Sequence, residues 1–142
     1  MPIYFHKENV RFALLRQEYL KECIDVALDH YGFEIETVNY IFCTDKYLLK
    51  LNKEFLGHDY LTDVITFNNS EEKEKLVADI FISIDRVQAN AKKFGTGFGG
   101  ELHRVMLHGA LHLAGFKDKS KADKKEMRKA EDLWLARFKL QK

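Results

Sequence analysis

Apolar residues along this chain change period several times, and each change marks an element. Leu20, Cys23, Ile24, Ala27, Leu28 and Tyr31 recur at three- and four-residue spacing, the buried stripe of a helix over Leu15–His30. Gly32 stands just past its last turn, where a glycine commonly ends a helix. A second helix is predicted after the N-cap pair Thr44-Asp45, with Tyr47, Leu48, Leu51 and Phe55 on one side and Gly57 at its end. A third follows Ser83, with Ile84, Val87, Ala91 and Phe94 recurring every three or four residues. Between them lie β-branched and aromatic runs that predict strands at Val38–Cys43, Val64–Phe67 and Leu76–Ile82, with Ile3–His6 a short strand leading in. Adjacent apolar positions in the later two runs predict a sheet with much of both faces covered.

The stretch from Glu101 to Ala114 is apolar nearly all round, through Leu102, Val105, Met106, Leu107, Ala110, Leu111 and Leu113. A helix of that kind lies inside its domain. Gly95–Gly100, four glycines in six residues, lacks the ending of a P-loop and follows no strand, so it predicts a flexible connection. Ser70–Lys75 (SEEKEK) predicts a charged loop. Ser120 and Asp123 form a capping-box start for a last helix, whose Met127, Ala130, Trp134 and Phe138 make its packing stripe. The sum is a single compact α+β domain over residues 1–142, with a small, mostly parallel sheet of three to four strands and about five helices.

Length and composition agree, since 142 residues with 46% hydrophobic and 32% charged side chains suit one domain with its own core. The longest apolar run is too short to span a bilayer. The start MPIYFHKENV lacks the basic and apolar regions of a secretion signal. Cys23 and Cys43 fall in apolar patterns and read as buried thiols, so a reducing, cytoplasmic compartment is expected. Net charge is +1, but from Phe116 onward ten Lys/Arg face five Asp/Glu, while the first 115 residues hold thirteen against seventeen. A basic end suits a polyanionic partner, but a solvated amphipathic helix gives the same count and on charge alone is the favoured reading.

Chemistry concentrates in HGALHLAGFKD, His108–Asp118. Positions i and i+4 of a helix point the same way, so His108 and His112 can grip one ion. Gly115 can take the left-handed conformation that turns the chain, bringing Asp118 back as a third ligand. The alternative is two core histidines satisfied by hydrogen bonds. Two imidazoles on an otherwise apolar helix need polar partners, and three protein ligands with an open fourth position describe a catalytic zinc site. The layout H-x3-H-x2-G-x2-D is that of metzincin-like zinc sites, but Gly109 stands where a peptidase carries its glutamate base, which argues against proteolysis. Arg104 and Glu101 share the histidine stripe. Arg104 is the candidate catalytic residue, as a phosphate ligand, and Glu101 could orient a ligand or water; the two could also form a surface ion pair. His103 falls off the stripe. Lys117, Lys119 and Lys121 flank Asp118 and could draw phosphates toward the metal.

With these segments in view, the chain resembles the YbeY family of bacterial rRNA maturation factors. LNKEFLGHDYLTDVITF (Leu51–Phe67) is similar to that family's LN…TDVLSF segment, ADIFIS (Ala78–Ser83) to its GDI strand, and ELHRVMLHGALHLAGF (Glu101–Phe116) to its HGxLHLxGY signature. The resemblance implies a compact α+β fold holding one zinc ion through His108, His112 and Asp118. It also implies a single-strand-specific endoribonuclease that matures the 3′ end of small-subunit rRNA and serves ribosome quality control. Single-stranded rRNA and ribosomal particles are the implied partners, with neither DNA nor membrane. Two departures stand out: Asp118 occupies the place of the family's third histidine, and Leu56 that of an arginine, for which His58 or Arg104 could substitute. The competing reading is a non-catalytic zinc-containing assembly factor that binds rRNA or ribosomal protein.

Overall fold

The computed structural model describes residues 1–140. Its elements run β1 (Ile3–Lys7), α1 (Gln17–His30), β2 (Glu34–Cys43), α2 (Asp45–Leu56), β3 (Val64–Asn68), β4 (Lys75–Ser83), α3 (Ile84–Phe94), α4 (Phe98–Leu113) and α5 (Lys121–Arg137). The four strands form one sheet in the order β1-β2-β4-β3, parallel except for β3, which pairs antiparallel with β4. The expected α+β domain with a mostly parallel sheet and five helices is what the chain forms.

One sheet face carries the core. Val38, Tyr40 and Phe42 of β2 and Leu76, Ala78, Ile80 and Ile82 of β4 meet the buried stripes of α1, α4 and α5, with Trp134 fully enclosed. The buried Tyr40 hydroxyl donates to the Met106 carbonyl at 2.9 Å, tying the sheet to the central helix. The opposite face is covered only in part: Leu48 of α2 packs with Ile65, Cys43, Phe67 and Phe81. Beyond α2 the face is polar, with His6, Asn39 and Asp79 hydrogen-bonded in a row across three strands. The expected coverage of both faces is therefore corrected, because Asn39 and Asp79 interrupt the apolar alternation on that side.

Helix ends follow local chemistry. Thr44, Ser83 and Ser120 each accept a backbone N–H of the helix they precede, and Asp123 completes the capping box. The glycine-rich connection is shorter than expected. Gly95 ends α3 with φ +68°, and α4 then begins at Phe98, taking Gly99 and Gly100 into its first turn. Phe98 anchors that turn by packing edge-on against Phe12, which the glycine count does not foresee. Likewise β2 begins four residues earlier than its β-branched core, because Glu34 and Ile35 pair with the start of β4. Both cysteines are buried free thiols, and burial pushes Cys43 up to about 12, so it is unreactive at neutral pH.

Two contacts hold the frame around α4. A Cβ added at Gly109 would lie 2.8 Å from Ile80 Cγ2 and 3.6 Å from Thr66 Cγ2, so the helix rests directly on β4 and β3. On the far side, Asp45 at the start of α2 accepts from Ser83 Oγ (2.7 Å) and Arg86 Nη2 (2.9 Å), locking α2 to the start of α3. Partial burial alone would raise the Asp45 carboxyl, but the hydrogen bonds from Arg86 and Ser83 and the Arg86 charge outweigh it and hold it below its usual value.

Gly109→Ala should destabilise the fold by about 1–2 kcal/mol, since overpacking against a β-branched methyl exceeds the helix-propensity gain of alanine; a raised midpoint in urea would contradict this seating of α4. A depressed carboxyl contributes stability that is present above the unfolded-state value of about 3.9 and is lost as pH falls through the folded value. Asp45→Asn should therefore cost about 1 kcal/mol at pH 7, with the gap to wild type closing below about pH 4 in urea titrations.

Candidate metal centre

The two histidines ride on α4, one turn apart, and line two adjoining cavities, His112 beside Val64, Ile65 and Thr66 of β3 and His108 beside Asp63. Their rings lie at 4.6 Å between centroids and 81° between planes. Helix α4 ends at Ala114 in a Schellman turn: the Gly115 N–H donates to the His112 carbonyl and the Phe116 N–H to the Leu111 carbonyl, both at 3.0 Å. Gly115 has φ +101°, a conformation that strains any residue with a side chain. The turn returns the chain as expected. One donor atom each from His108, His112 and Asp118 lies within 4.8 Å of the others, a group that could hold a metal ion.

Hydrogen bonds decide which histidine nitrogens are available. His108 Nδ1 lies 2.6 Å from Glu131 Oε2, and His112 Nδ1 lies 3.0 Å from the Phe116 carbonyl. Carboxylates and carbonyls only accept, so each Nδ1 carries the proton and donates, leaving the Nε2 lone pair free. His108 Nε2 is 3.4 Å from Asp118 Oδ2, on the side of the group the lone pairs share. Such outward-tied imidazoles are the usual arrangement around bound metals. Two imidazole nitrogens and a carboxylate oxygen are a donor set that fits a divalent ion of borderline character.

The local field favours positive charge there. Burial pulls both histidines down, and for His112 the neighbouring His108 charge adds to that, so it stays low. For His108 the contacts with Glu131, Asp118 and Asp63 overcome burial and raise it. A site that stabilises a proton at His108 through three carboxylates also stabilises a cation.

Arg104 and Glu101 do face this cleft. They line one cavity with His108, Asp118, Asp63 and Glu131. The Arg104 guanidinium is engaged, however: Nη1 donates to Glu131 Oε1 at 2.9 Å and Nη2 to Asp132 Oδ1 at 2.7 Å. The alternative of a Glu101–Arg104 surface pair gives way to this pairing with α5, because α5 packs on α4 where Arg104 emerges. Glu101 is buried, and its carboxyl is raised first by that burial. His103 points to the Leu140 carbonyl, away from the site. A second cavity, of about 610 Å³, opens on the other side and is lined by His112, Asp118, Lys117 and Lys119, but not by Lys121.

The profile of the family described as Endoribonuclease YbeY matches residues 4–139. The chain belongs to that family. Endoribonuclease YbeY of Cytophaga hutchinsonii is 46% identical over 134 residues, covering 94% of each chain. That of Bacteroides thetaiotaomicron is 38% identical over 136 residues, covering 96% of this chain and 98% of the relative. The solution structure of TM1509 from Thermotoga maritima matches with TM-score 0.63 at 28% identity, covering 96% of this chain and 91% of that one.

Leu56, half-exposed at the end of α2, lines the 610 Å³ cavity together with His58. Two residues escape a reading by motif. Glu131 is buried and holds His108, though it lies 23 residues away on another helix. Its spacing of four from Met127 and three to Trp134 puts a carboxylate on the packing stripe of α5, which is the signal available in sequence. Asp63 immediately precedes β3, and burial raises its carboxyl, with the His108 charge opposing.

Glu131→Gln keeps the shape but removes the charge that orients and polarises His108. Metal affinity should fall by about 10–100-fold, measured by competition with a chromogenic chelator. An affinity within two-fold of wild type would mean that His108 does not depend on the carboxylate.

Proposed function

We propose that this protein is a single-strand-specific, zinc-dependent endoribonuclease acting in rRNA processing, at the 3′ end of small-subunit rRNA, and in ribosome quality control. The observation that carries this reading is the convergence of His108, His112 and Asp118, with both imidazoles presenting Nε2. The group contributes three donors among the described residues, and three donors suit an open catalytic position better than a closed structural one. That favours the enzyme over a zinc-containing assembly factor that only binds. A divalent ion held there would supply Lewis-acid stabilisation of phosphoryl charge and an activated water.

The remaining work falls to the chain's own side chains. Arg104 acts here as a positioning residue: by fixing Glu131 it fixes the His108 ring, and its two terminal amines are already matched to carboxylates. Lys117 and Lys119 on one side and Lys124 and Arg128 on the other line the two cavities and supply positive charge for phosphates. Asp63 and Glu101 are carboxylates within the second cavity that can take up or orient a proton. Ribosomal particles in the cytoplasm are the partners and place that this reading implies; among the described residues no helix is long and apolar enough to cross a membrane.

Purified protein and its His108→Ala/His112→Ala double variant, given single-stranded rRNA fragments, should differ in cleavage by at least about a hundred-fold. Chelation should abolish the wild-type activity and zinc restore it. Equal cleavage by both proteins would sink the metallonuclease reading and indicate a contaminant.

A further inference from the structure

The cavity beside His112 and Asp118 has a second wall that the metal chemistry does not use. It is formed by the segment between α2 and β3, where His58 and Tyr60 stack with ring centroids 5.1 Å apart and planes 19° from parallel. The Tyr60 hydroxyl and His58 Nδ1 are hydrogen-bonded at 3.0 Å, so the rings are fixed to each other. Tyr60 is nevertheless 56% exposed, and His58 is exposed as well. Neither ring belongs to the core.

A buried residue holds this exposed pair in place. Asn52, only 2% exposed, donates from Nδ2 to the Tyr60 carbonyl at 2.9 Å, while its own backbone carbonyl accepts from the His58 N–H at 3.1 Å. Asn52 thus holds both ends of a three-residue loop, its buried side-chain amide one end and its backbone carbonyl the other. Burying a polar side chain is unfavourable unless it is hydrogen-bonded, and here the bond it makes serves the loop. Leu56 and Leu61, also about half-exposed, flank the rings. A fixed aromatic surface left in water marks a binding site.

The chemistry of the occupant follows from what shares the cavity. Lys117 and Lys119 line it, so the ligand is anionic; His112 and Asp118 line it, so the ligand reaches the metal-binding group; Tyr60 and His58 line it, so the ligand has a flat apolar face. A volume of about 610 Å³ lies within the ordinary range for small-ligand sites. One unpaired nucleotide satisfies all three conditions. A paired base has both faces occupied in its helix and cannot stack here.

We propose that the Tyr60–His58 pair is a base-stacking subsite, which takes one unpaired nucleobase of an RNA strand whose neighbouring phosphate lies at the His108, His112 and Asp118 group. This rests on the endoribonuclease reading and adds to it the device by which a single strand is selected. The stack is tolerant of base identity, because every base offers a π-face, so it selects strandedness before sequence.

The test uses the full chain and a fluorescein-labelled single-stranded RNA. Binding is followed by anisotropy with chelator present, and cleavage is followed separately with zinc. Tyr60→Ala should weaken binding about ten-fold or more, the scale of one lost base–aromatic stack, and should raise KM more than it lowers kcat. Tyr60→Phe keeps the ring but loses the hydrogen bond to His58, so it should bind more weakly than wild type and more tightly than Tyr60→Ala. An RNA series with a single abasic residue moved along the strand should show one position where wild type loses the same factor and Tyr60→Ala loses nothing more. Equal binding by Tyr60→Ala and wild type, or sensitivity to the abasic position unchanged in Tyr60→Ala, would overturn the subsite. Cleavage by wild type in that case would leave the nuclease reading standing. Failure of wild type to cleave with zinc, alongside Tyr60-dependent binding, would remove the nuclease reading and leave the subsite as an RNA-binding feature. Matching thermal melts of the three proteins exclude misfolding as the cause.

Discussion

Helix α4 rests on the sheet at one point where a hydrogen stands in place of a side chain. At Gly109 an added Cβ would come within 2.8 Å of the Ile80 side chain, so the helix packs onto β4 more closely there than a residue with a side chain would allow. Everything in the site is referred to that contact. With Gly109 against the sheet, His108 and His112 are turned toward the cleft, and Tyr40 reaches the Met106 carbonyl to fix the helix along its length. The same contact explains why a peptidase-like glutamate has no place after His108: a side chain there would run into Ile80 rather than toward a substrate.

Around that helix the charges are arranged in a chain: Asp132 and Glu131 on α5 hold Arg104, and Glu131 holds His108, which faces Asp118. A buried carboxylate such as Glu131 is unfavourable alone and becomes acceptable because both its oxygens are met, one by a guanidinium and one by an imidazole. The chain therefore does two jobs with one set of bonds. It docks α5 onto α4, and it fixes the tautomer and direction of a ring in the group that could hold a metal ion.

How much of this is legible in sequence depends on range. Local rules suffice for the helix stripes, the Thr44, Ser83 and Ser120 caps, the Gly32 and Gly115 stops, and the grouping of two histidines with Asp118, because each is settled within a few residues. They fall short where a partner comes from elsewhere in the chain. Phe98 joins α4 because Phe12 is waiting for it. The sheet is open on one side because Asn39 and Asp79 satisfy each other across strands rather than meeting a helix. Arg104, correctly placed on the histidine face by periodicity, is committed to carboxylates of α5 that no helical wheel of α4 contains.

The third donor carries the argument beyond the frame. Asp118 adds a negative charge to a cleft that also holds Asp63, Glu101 and Glu131, which favours a cation, and Arg104, Lys124 and Arg128 stand on the same walls. An anionic ligand also lessens the acidity an ion confers on its water. Lys117 and Lys119, on either side of Asp118, bring two positive charges to the cavity opposite the acidic one. Carboxylates thus lie on one side of the group, with Lys124 and Arg128 among them, and Lys117 and Lys119 with two aromatic rings on the other. On the lysine side the exposed surface is aromatic, and its loop is held by Asn52.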